Sequence, residues 1–197
     1  MNATHFLTPN WYESLRLAGS NPSMLGFFTE QMLLSYISIT GCPSAGPEFA
    51  GQLTSVFFQT KTPVVSSHMD GSFLYIPTSF NFKGVDAILI SVNQGKQEAV
   101  IVGLQITISP THSDSEGKFF QNWQRWEDIF RGLKVTFRFL WILERVAGKS
   151  IEDDIEGTSI SLKSSKRQLR PPFRRIYTSV MGISTDIGTK LEIARDA

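Results

Sequence analysis

Two β-rich runs joined by a tight polar turn constrain the fold of this chain more than any other feature of its sequence. Residues 85–92 (VDAILISV) are mostly β-branched and aliphatic, and residues 99–109 (AVIVGLQITIS) are apolar first and then alternate strictly. Residues 93–96 (NQGK) between them are typical of a turn. We therefore expect an antiparallel hairpin, which brings the start of the first strand near the far end of the second.

A capped helix precedes the hairpin. Asn21 can accept hydrogen bonds as an N-cap, Pro22 suits the first helical position, and Gly41 follows an apolar pattern with spacings of three and four. We expect a second helix over residues 119–133, where aromatic residues recur on one face. Three further strands are expected, over residues 56–59, 73–76 and 135–143. The order helix, strands, helix, strand predicts an α/β protein with a central mixed β-sheet flanked by helices.

The composition excludes several classes of protein. The formal net charge is only +1, so any function based on charge must come from a local cluster. The single cysteine, Cys42, excludes an internal disulfide and a cysteine-built zinc site. No stretch approaches the roughly 18 apolar residues of a membrane-spanning helix, and the first dozen residues lack a secretory signal pattern. We therefore expect a protein of the nucleus or cytoplasm with no membrane partner.

The sequence divides into three regions. The length of 197 residues suits one domain. We assign residues 1–20 to an N-terminal extension and residues 21–148 to the core. Residues 149–197 form a segment that is acidic first and basic afterwards, and that either packs on the core or forms a tail.

Residues 163–175 concentrate positive charge, with six basic and no acidic residues. Basic side chains neutralise phosphates and release counterions, so this stretch predicts a nucleic-acid partner. The residues that we expect to contact nucleic acid are Lys166, Arg167, Arg170, Arg174 and Arg175. The same stretch is equally typical of a nuclear-import signal or a solvated tail.

A few polar residues interrupt apolar patterns. Glu30 is followed by apolar residues three, four and seven positions later, so its carboxylate lies near an apolar face, where a charge is costly without a cation. Asp86 begins a strand and shares a face with Ile88 by alternation. Gln105 and Thr107 share the polar face of the next strand. If the hairpin pairs as expected, Asp86 and Gln105 are adjacent.

Each of these residues also has a purely structural interpretation. Glu30 could be a surface acid in an ordinary ion pair, and Asp86 a turn or capping acid. Gln105 and Thr107 could belong to a half-exposed strand face. No phosphate-binding loop, nucleophile elbow or HExxH motif is present to decide between these interpretations.

Five segments follow one another in an order that resembles a known family. They are GFFTEQMLLSYIS (26–38), YIPTSFNFKGVDAILI (75–90), GLQITISPTH (103–112), FFQNWQRW (119–126) and FRFLWILE (137–144). Together they resemble the nuclease-like domain of Crinkler/RHS-type effector proteins, which are found in fungi and other eukaryotes. The resemblance implies a PD-(D/E)XK, restriction-endonuclease-like fold. It covers about residues 25–145.

The resemblance also implies a Mg²⁺ site. In active members of the fold, an Asp and an acidic residue two positions before a lysine hold Mg²⁺, and the lysine stabilises developing negative charge. Asp86 matches the Asp, and Glu30 matches the helix glutamate that often completes the site. Gln105 and Thr107 stand at the acidic and lysine positions, so this sequence has QxT where the family has (D/E)xK.

The departure from the family pattern leaves two functions open. Either Lys83, or Lys118 from the next helix, supplies the missing cation, or the site is degenerate. In the first case the chain binds nucleic acid, with DNA as the expected partner, and hydrolyses phosphodiesters with Mg²⁺. The residues implied are Glu30, Asp86, Gln105, Thr107 and Lys83, with Asp86 and Gln105 as metal ligands. In the second case it is an inactive nuclease-fold module that acts as an effector through protein–protein interaction.

Overall fold

A mixed β-sheet forms the centre of the protein. The computed structural model describes residues 9–59, 65–66, 68–78, 84–108, 115–144 and 171–196. Within them the strands are β1 (Thr54–Phe58), β2 (Gly71–Pro77), β3 (Ala87–Asn93), β4 (Glu98–Thr107), β5 (Lys134–Leu143) and β6 (Phe173–Ser179). They lie side by side in sequence order; β2–β3 and β3–β4 pair antiparallel, and the other neighbours pair parallel. The predicted α/β class with a central mixed sheet is confirmed.

The expected hairpin is formed by β3 and β4. Ala87 lies opposite Leu104, and Asn93 lies opposite Glu98. Strand β4 then continues to Thr107, three residues past the start of β3, and this part of it still pairs with β5. The carboxyl end of β4 therefore projects beyond β3 at one end of the sheet.

Helices cover both faces of the sheet. They are α1 (Pro9–Leu17), α2 (Pro22–Thr40), α3 (Ser115–Phe119), α4 (Gln124–Ile129), α5 (Val180–Ile183) and α6 (Thr185–Arg195). One face of the sheet, called here the α2 face, is covered by helices α1, α2, α5 and α6, and its buried cluster includes Leu33, Leu89 and Leu191. The opposite face, called the α3 face, is covered by helices α3 and α4, and its buried cluster includes Ile101 and Phe120. No helix among the described residues is long and apolar enough to cross a membrane.

Helix α2 begins and ends where the sequence predicts. The Oδ1 atom of Asn21 accepts from two backbone N–H groups of the first turn, at 3.1 and 3.2 Å. Gly41 ends the helix with φ of +82°, and a Cβ there would lie 2.3 Å from two backbone oxygens. Only glycine fits this position, since an added methyl group would collide with backbone that cannot move aside.

The single helix expected over residues 119–133 is wrong. The chain instead forms α3, a 3₁₀ turn (Phe120–Asn122) and α4. Phe119 and Phe120 are both buried against the α3 face. Successive residues of an α-helix point about 100° apart, whereas the tighter 3₁₀ turn changes the phase of the buried face at this point. The change of phase allows both phenylalanines, and then Trp126, to pack on the sheet.

Two regions without a clear periodic pattern are structured. Helix α1 lies in the predicted N-terminal extension, and residues 171–196 of the predicted C-terminal segment contribute β6, α5 and α6. Strand β6 is an edge strand that pairs with β5. Its sequence, FRRIYTS, places Arg174 and Arg175 side by side, so the polar and apolar alternation that marks a half-buried strand is absent.

Candidate functional site

Asp86 lies where the chain enters β3. Its backbone N–H donates to the carbonyl of Leu104 at 2.8 Å, and its Oδ2 accepts from the backbone N–H of Ile106 at 2.6 Å. The side-chain amide of Gln105 donates to the same Oδ2 at 2.8 Å. The expected adjacency of Asp86 and Gln105 is confirmed. The carboxylate is thus held against β4, at the end of the sheet where β4 projects past β3.

Asp86 does not continue the apolar row of Ile88, as strict alternation predicts. Val85 and Ile88 both pack on the α3 face, while Ala87 between them packs on the α2 face, so the alternation is interrupted at Asp86. Asp86 bonds to Leu104, and Ala87 lies opposite the same residue. Asp86 and Ala87 together thus lie opposite one residue of β4, which is the pairing of a β-bulge. A bulge places both of its residues on one side of the sheet, and here that side is the α2 face. The expected shared face with Ile88 is therefore wrong.

Glu30 approaches the same point from α2. The helix buries the apolar residues three, four and seven positions later and leaves Glu30 itself half-buried. Its Oε1 accepts from the side-chain amide of Gln31 at 3.3 Å, and its carboxyl lies close enough to Asp86 for the two charges to repel. Glu30 forms no ion pair with any residue that the structure describes. Within the described residues, Glu30 is therefore not part of an ordinary surface ion pair.

Burial shifts the ionisation of both carboxyls. It raises the pKa of Glu30 to about 8, with the charge of Asp86 adding to the rise and the bond from Gln31 opposing it. Burial also raises the pKa of Asp86, to about 6, although the hydrogen bonds from Ile106 and Gln105 stabilise its charged form. At neutral pH Asp86 is the ionised member, and Glu30 retains its proton.

The raised pKa of Glu30 predicts that the protein loses stability as the pH rises. Its ordinary value is 4.5 and its value in the fold is about 8, so between these values the native state binds more protons than the unfolded state. The contribution of Glu30 to the free energy of unfolding therefore falls from about pH 4.5 to about pH 8 and changes no further above that range. Glu30→Gln should remove most of this decline. Urea titrations of the parent and the variant across the range measure the difference.

Glu13→Gln is the matched control for this comparison. Glu13 lies on the exposed surface of α1, where the neighbouring Arg16 lowers the pKa of its carboxyl. Its carboxyl therefore binds no more protons in the fold than in the unfolded chain, and its replacement should not reduce the decline. If the free energy of unfolding depended on pH in the same way in the parent and in Glu30→Gln, the raised pKa of Glu30 would be contradicted.

The QxT segment occupies the projecting end of β4. Gln105 is half-buried and turns its amide nitrogen, which is a hydrogen-bond donor, toward Asp86. Thr107 is the last residue of β4, and its carbonyl accepts from the backbone N–H of Glu144 at 3.2 Å. Alternation places the side chains of Gln105 and Thr107 on one face of the strand, two residues apart.

The basic residues expected at the site and on nucleic acid are only partly within the described chain. Lys118 is exposed on α3, and a side chain at Gly84 would meet its Cβ at 2.9 Å, so it lies beside the approach to β3. Arg174 is exposed on β6. The residues outside the described ranges are Lys83, Lys166, Arg167 and Arg170.

Arg175 is engaged in a buried ion pair that the sequence pattern did not indicate. Its Nε and Nη2 donate to the two carboxylate oxygens of Glu116 in α3, at 2.6 and 2.5 Å. The indole N–H of Trp141 donates to the same carboxylate at 2.9 Å. The guanidinium that we expected to contact phosphate therefore joins β6 to α3.

The oxygens of the cluster have the chemistry of a site for a hard divalent cation. The carboxyls of Glu30 and Asp86 lie near one another at the end of the sheet, the side-chain amide of Gln105 is bonded to Asp86, and Mg²⁺ prefers oxygen ligands. Among the described residues no group of three or more His, Cys, Asp or Glu side chains is placed to hold a metal. The donor set fits Mg²⁺ in kind: Asp86 is ionised at neutral pH, and Glu30 would have to give up its proton to bind the metal as a carboxylate.

Comparison with known proteins adds no family to these observations. No family model, no curated protein and no solved structure matches the chain. The residues that the structure brings together are Glu30, Asp86 and Gln105, with Thr107 two positions further along β4. Function must be inferred from this cluster and its surroundings.

Proposed function

We propose that the protein binds nucleic acid, with DNA as its expected partner, and that it is a PD-(D/E)XK nuclease-like protein with weak Mg²⁺-dependent phosphodiester hydrolysis. One observation carries the proposal. The carboxyls of Glu30 and Asp86 lie close enough to interact electrostatically, and Asp86 accepts from the amide of Gln105, although the three residues come from helix α2, the entry to β3 and strand β4. Two half-buried carboxyls that raise each other's energy are costly for the fold, and such groups are concentrated at functional sites.

The order of the elements around the cluster supports the same proposal. Helix α2, the antiparallel strands β2, β3 and β4, the helical segment α3 to α4, and β5 follow one another along the chain. Strand β5 lies parallel to β4. This part of the chain thus has the order helix, strands, helix, strand, with the acidic residues on its helix and just before its middle strand.

Each residue has a specific role in this proposal. A bound Mg²⁺ would neutralise phosphate charge and lower the pKa of the attacking water. Asp86, and Glu30 once it gives up its proton, would hold the metal through their carboxylates, and Gln105 could offer its amide oxygen once the amide turns over. Thr107 can orient a water molecule or a phosphate oxygen through its hydroxyl. A neutral amide and a hydroxyl replace an acid and a lysine, which is why we expect hydrolysis to be weak.

One observation favours a second function. The amide nitrogen of Gln105 already donates to Asp86, and this bond partly satisfies the charge that a metal would otherwise meet. A site closed in this way suits an inactive nuclease-fold module that acts through protein–protein interaction. The two proposals differ in whether Mg²⁺ binds the cluster.

Restoring the acid and the lysine tests the proposal. The double variant Gln105→Glu with Thr107→Lys should cleave supercoiled plasmid with Mg²⁺ at least about tenfold faster than the parent. A carboxylate binds the metal more tightly than an amide, and an ammonium stabilises developing charge that a hydroxyl cannot. Agarose-gel assays with Mg²⁺ and with EDTA measure the gain.

The control adds Asp86→Asn to the same double variant, and this triple variant should return to the rate seen without metal. Retained cleavage in the triple variant would show that the activity arises elsewhere. A double variant that folds and yet neither binds Mg²⁺ nor cleaves DNA would overturn the nuclease proposal and favour the interaction module.

A further inference from the structure

Arg195 brings a cation to the projecting end of β4 from the far end of the chain. It is the last residue of α6. Its Nη2 donates to the backbone carbonyl of Ile108 at 3.2 Å, and its Nη1 lies 2.7 Å from a carboxylate oxygen of Glu144. Its side chain is 41% exposed and that of Glu144 only 14%. A guanidinium has five N–H donors in a planar fork, so these two contacts leave others directed to solvent.

The guanidinium and the carboxyl cluster border the same short stretch of β4. Ile106 bonds to Asp86, and Ile108, two residues later, bonds to Arg195, a separation of about 6.6 Å along an extended chain. A Cβ at Gly26 of α2 would lie 3.7 Å from the side chain of Ile108, and Glu30 follows one turn later. Helices α2 and α6 both pack on the α2 face, so Arg195 and Glu30 lie on the same side of the sheet.

We propose that Arg195 binds a backbone phosphate of the nucleic acid, and this inference rests on the proposed function. The residue at the family's lysine position is Thr107, which carries no charge. Arg195 is bonded to the backbone carbonyl of Ile108, the residue that follows β4, so it brings a positive charge to this end of the sheet. A polynucleotide that places one phosphate at the carboxyl cluster can reach Arg195 with a neighbouring one.

Glu144 limits how readily the guanidinium of Arg195 can bind a phosphate. Its carboxylate pairs with the guanidinium and competes with phosphate for it, because both ligands are bidentate anions. This competition separates the proposal from the simple alternative, in which the ion pair only fastens α6 to the sheet. If the ion pair only fastens α6 to the sheet, removing Arg195 or removing Glu144 breaks it equally, and the two variants should behave alike. For a phosphate ligand, the two removals have opposite effects on DNA binding.

The experiment compares Arg195→Gln with Glu144→Gln. A labelled DNA duplex is titrated with each protein in EDTA over a series of salt concentrations, so that binding is measured without hydrolysis. Arg195→Gln should weaken binding about tenfold and reduce the slope of log K against log salt by about 0.9, the value for one phosphate contact. Glu144→Gln should strengthen binding several-fold, since the guanidinium loses its competitor. Arg195→Lys should keep the salt slope, because the charge remains.

Arg131→Gln is the matched control. Arg131 also forms an ion pair with a carboxylate, that of Asp128, but it lies before β5, at the opposite end of the sheet. Its replacement should change neither affinity nor slope. Thermal unfolding of all four variants shows whether each is folded.

The outcomes separate this inference from the proposed function. If Arg195→Gln and Glu144→Gln change DNA affinity in the same direction, or if neither changes it in folded protein, Arg195 is a structural residue and the inference is overturned. In that case the parent still binds DNA, and the proposed function stands. If the folded parent does not bind the duplex at any salt concentration, both are overturned.

Discussion

Replacing Asp86 by asparagine is expected to lower Mg²⁺-dependent cleavage of DNA by about two orders of magnitude or more, because metal-ion catalysis supplies several kcal/mol of transition-state stabilisation. The same substitution should abolish the rise in melting temperature that we expect Mg²⁺ to produce in the parent. The asparagine side chain keeps an oxygen that can accept from the backbone N–H of Ile106, and it removes the repulsion with Glu30. The fold should therefore be retained, and above pH 6 it should be stabilised.

Plasmid cleavage and thermal unfolding, each with Mg²⁺ and with EDTA, measure the two effects of Asp86→Asn. Asp70→Asn is a suitable control, since Asp70 is an exposed acid that accepts from the backbone N–H of Gln94. It should change neither cleavage nor the effect of Mg²⁺. Equal cleavage by the parent and Asp86→Asn would mean that the hydrolysis does not occur at this cluster. A parent that neither cleaves DNA nor is stabilised by Mg²⁺ would favour the interaction module.

The parts of the fold that were predicted correctly carry their signals in neighbouring residues. The caps of α2 are specified by Asn21 and Gly41, each of which acts on backbone within a few positions. The β3–β4 hairpin follows from two β-rich runs and one turn. Its register also places Asp86 beside Gln105, so this part of the candidate site could be derived from local pattern alone.

The errors arise where tertiary packing overrides local pattern. The bulge at Asp86 breaks the alternation that residues 85–92 display, and only the faces occupied by Val85 and Ala87 reveal it. The interruption after Phe119 depends on the burial of two adjacent phenylalanines. Pairs that join distant parts of the chain leave no periodic signal, as with Arg175 and Glu116, which are 59 positions apart.

Glu116→Ala is expected to destabilise the protein strongly, by about 3–5 kcal/mol. Its carboxylate accepts three hydrogen bonds, two from Arg175 and one from Trp141. The side chains of Glu116 and Arg175 are only 12% and 26% exposed. Removing the acid takes this carboxylate away from a largely buried guanidinium and from the buried indole N–H, and both losses are costly. The ion pair that joins edge strand β6 to helix α3 is then lost.

Urea unfolding of Glu116→Ala measures the loss, and two further variants identify its origin. Asp128→Ala breaks the exposed pair with Arg131, whose side chains are 70% and 84% exposed, and should cost at most about 1 kcal/mol. The double variant Glu116→Leu with Arg175→Met removes both charges and should recover much of the stability lost in Glu116→Ala, because no buried charge remains unpaired. A double variant less stable than Glu116→Ala would contradict this account, since the loss would then come from packing at both positions. A loss in Glu116→Ala as small as that in Asp128→Ala would contradict the expected cost of breaking this ion pair.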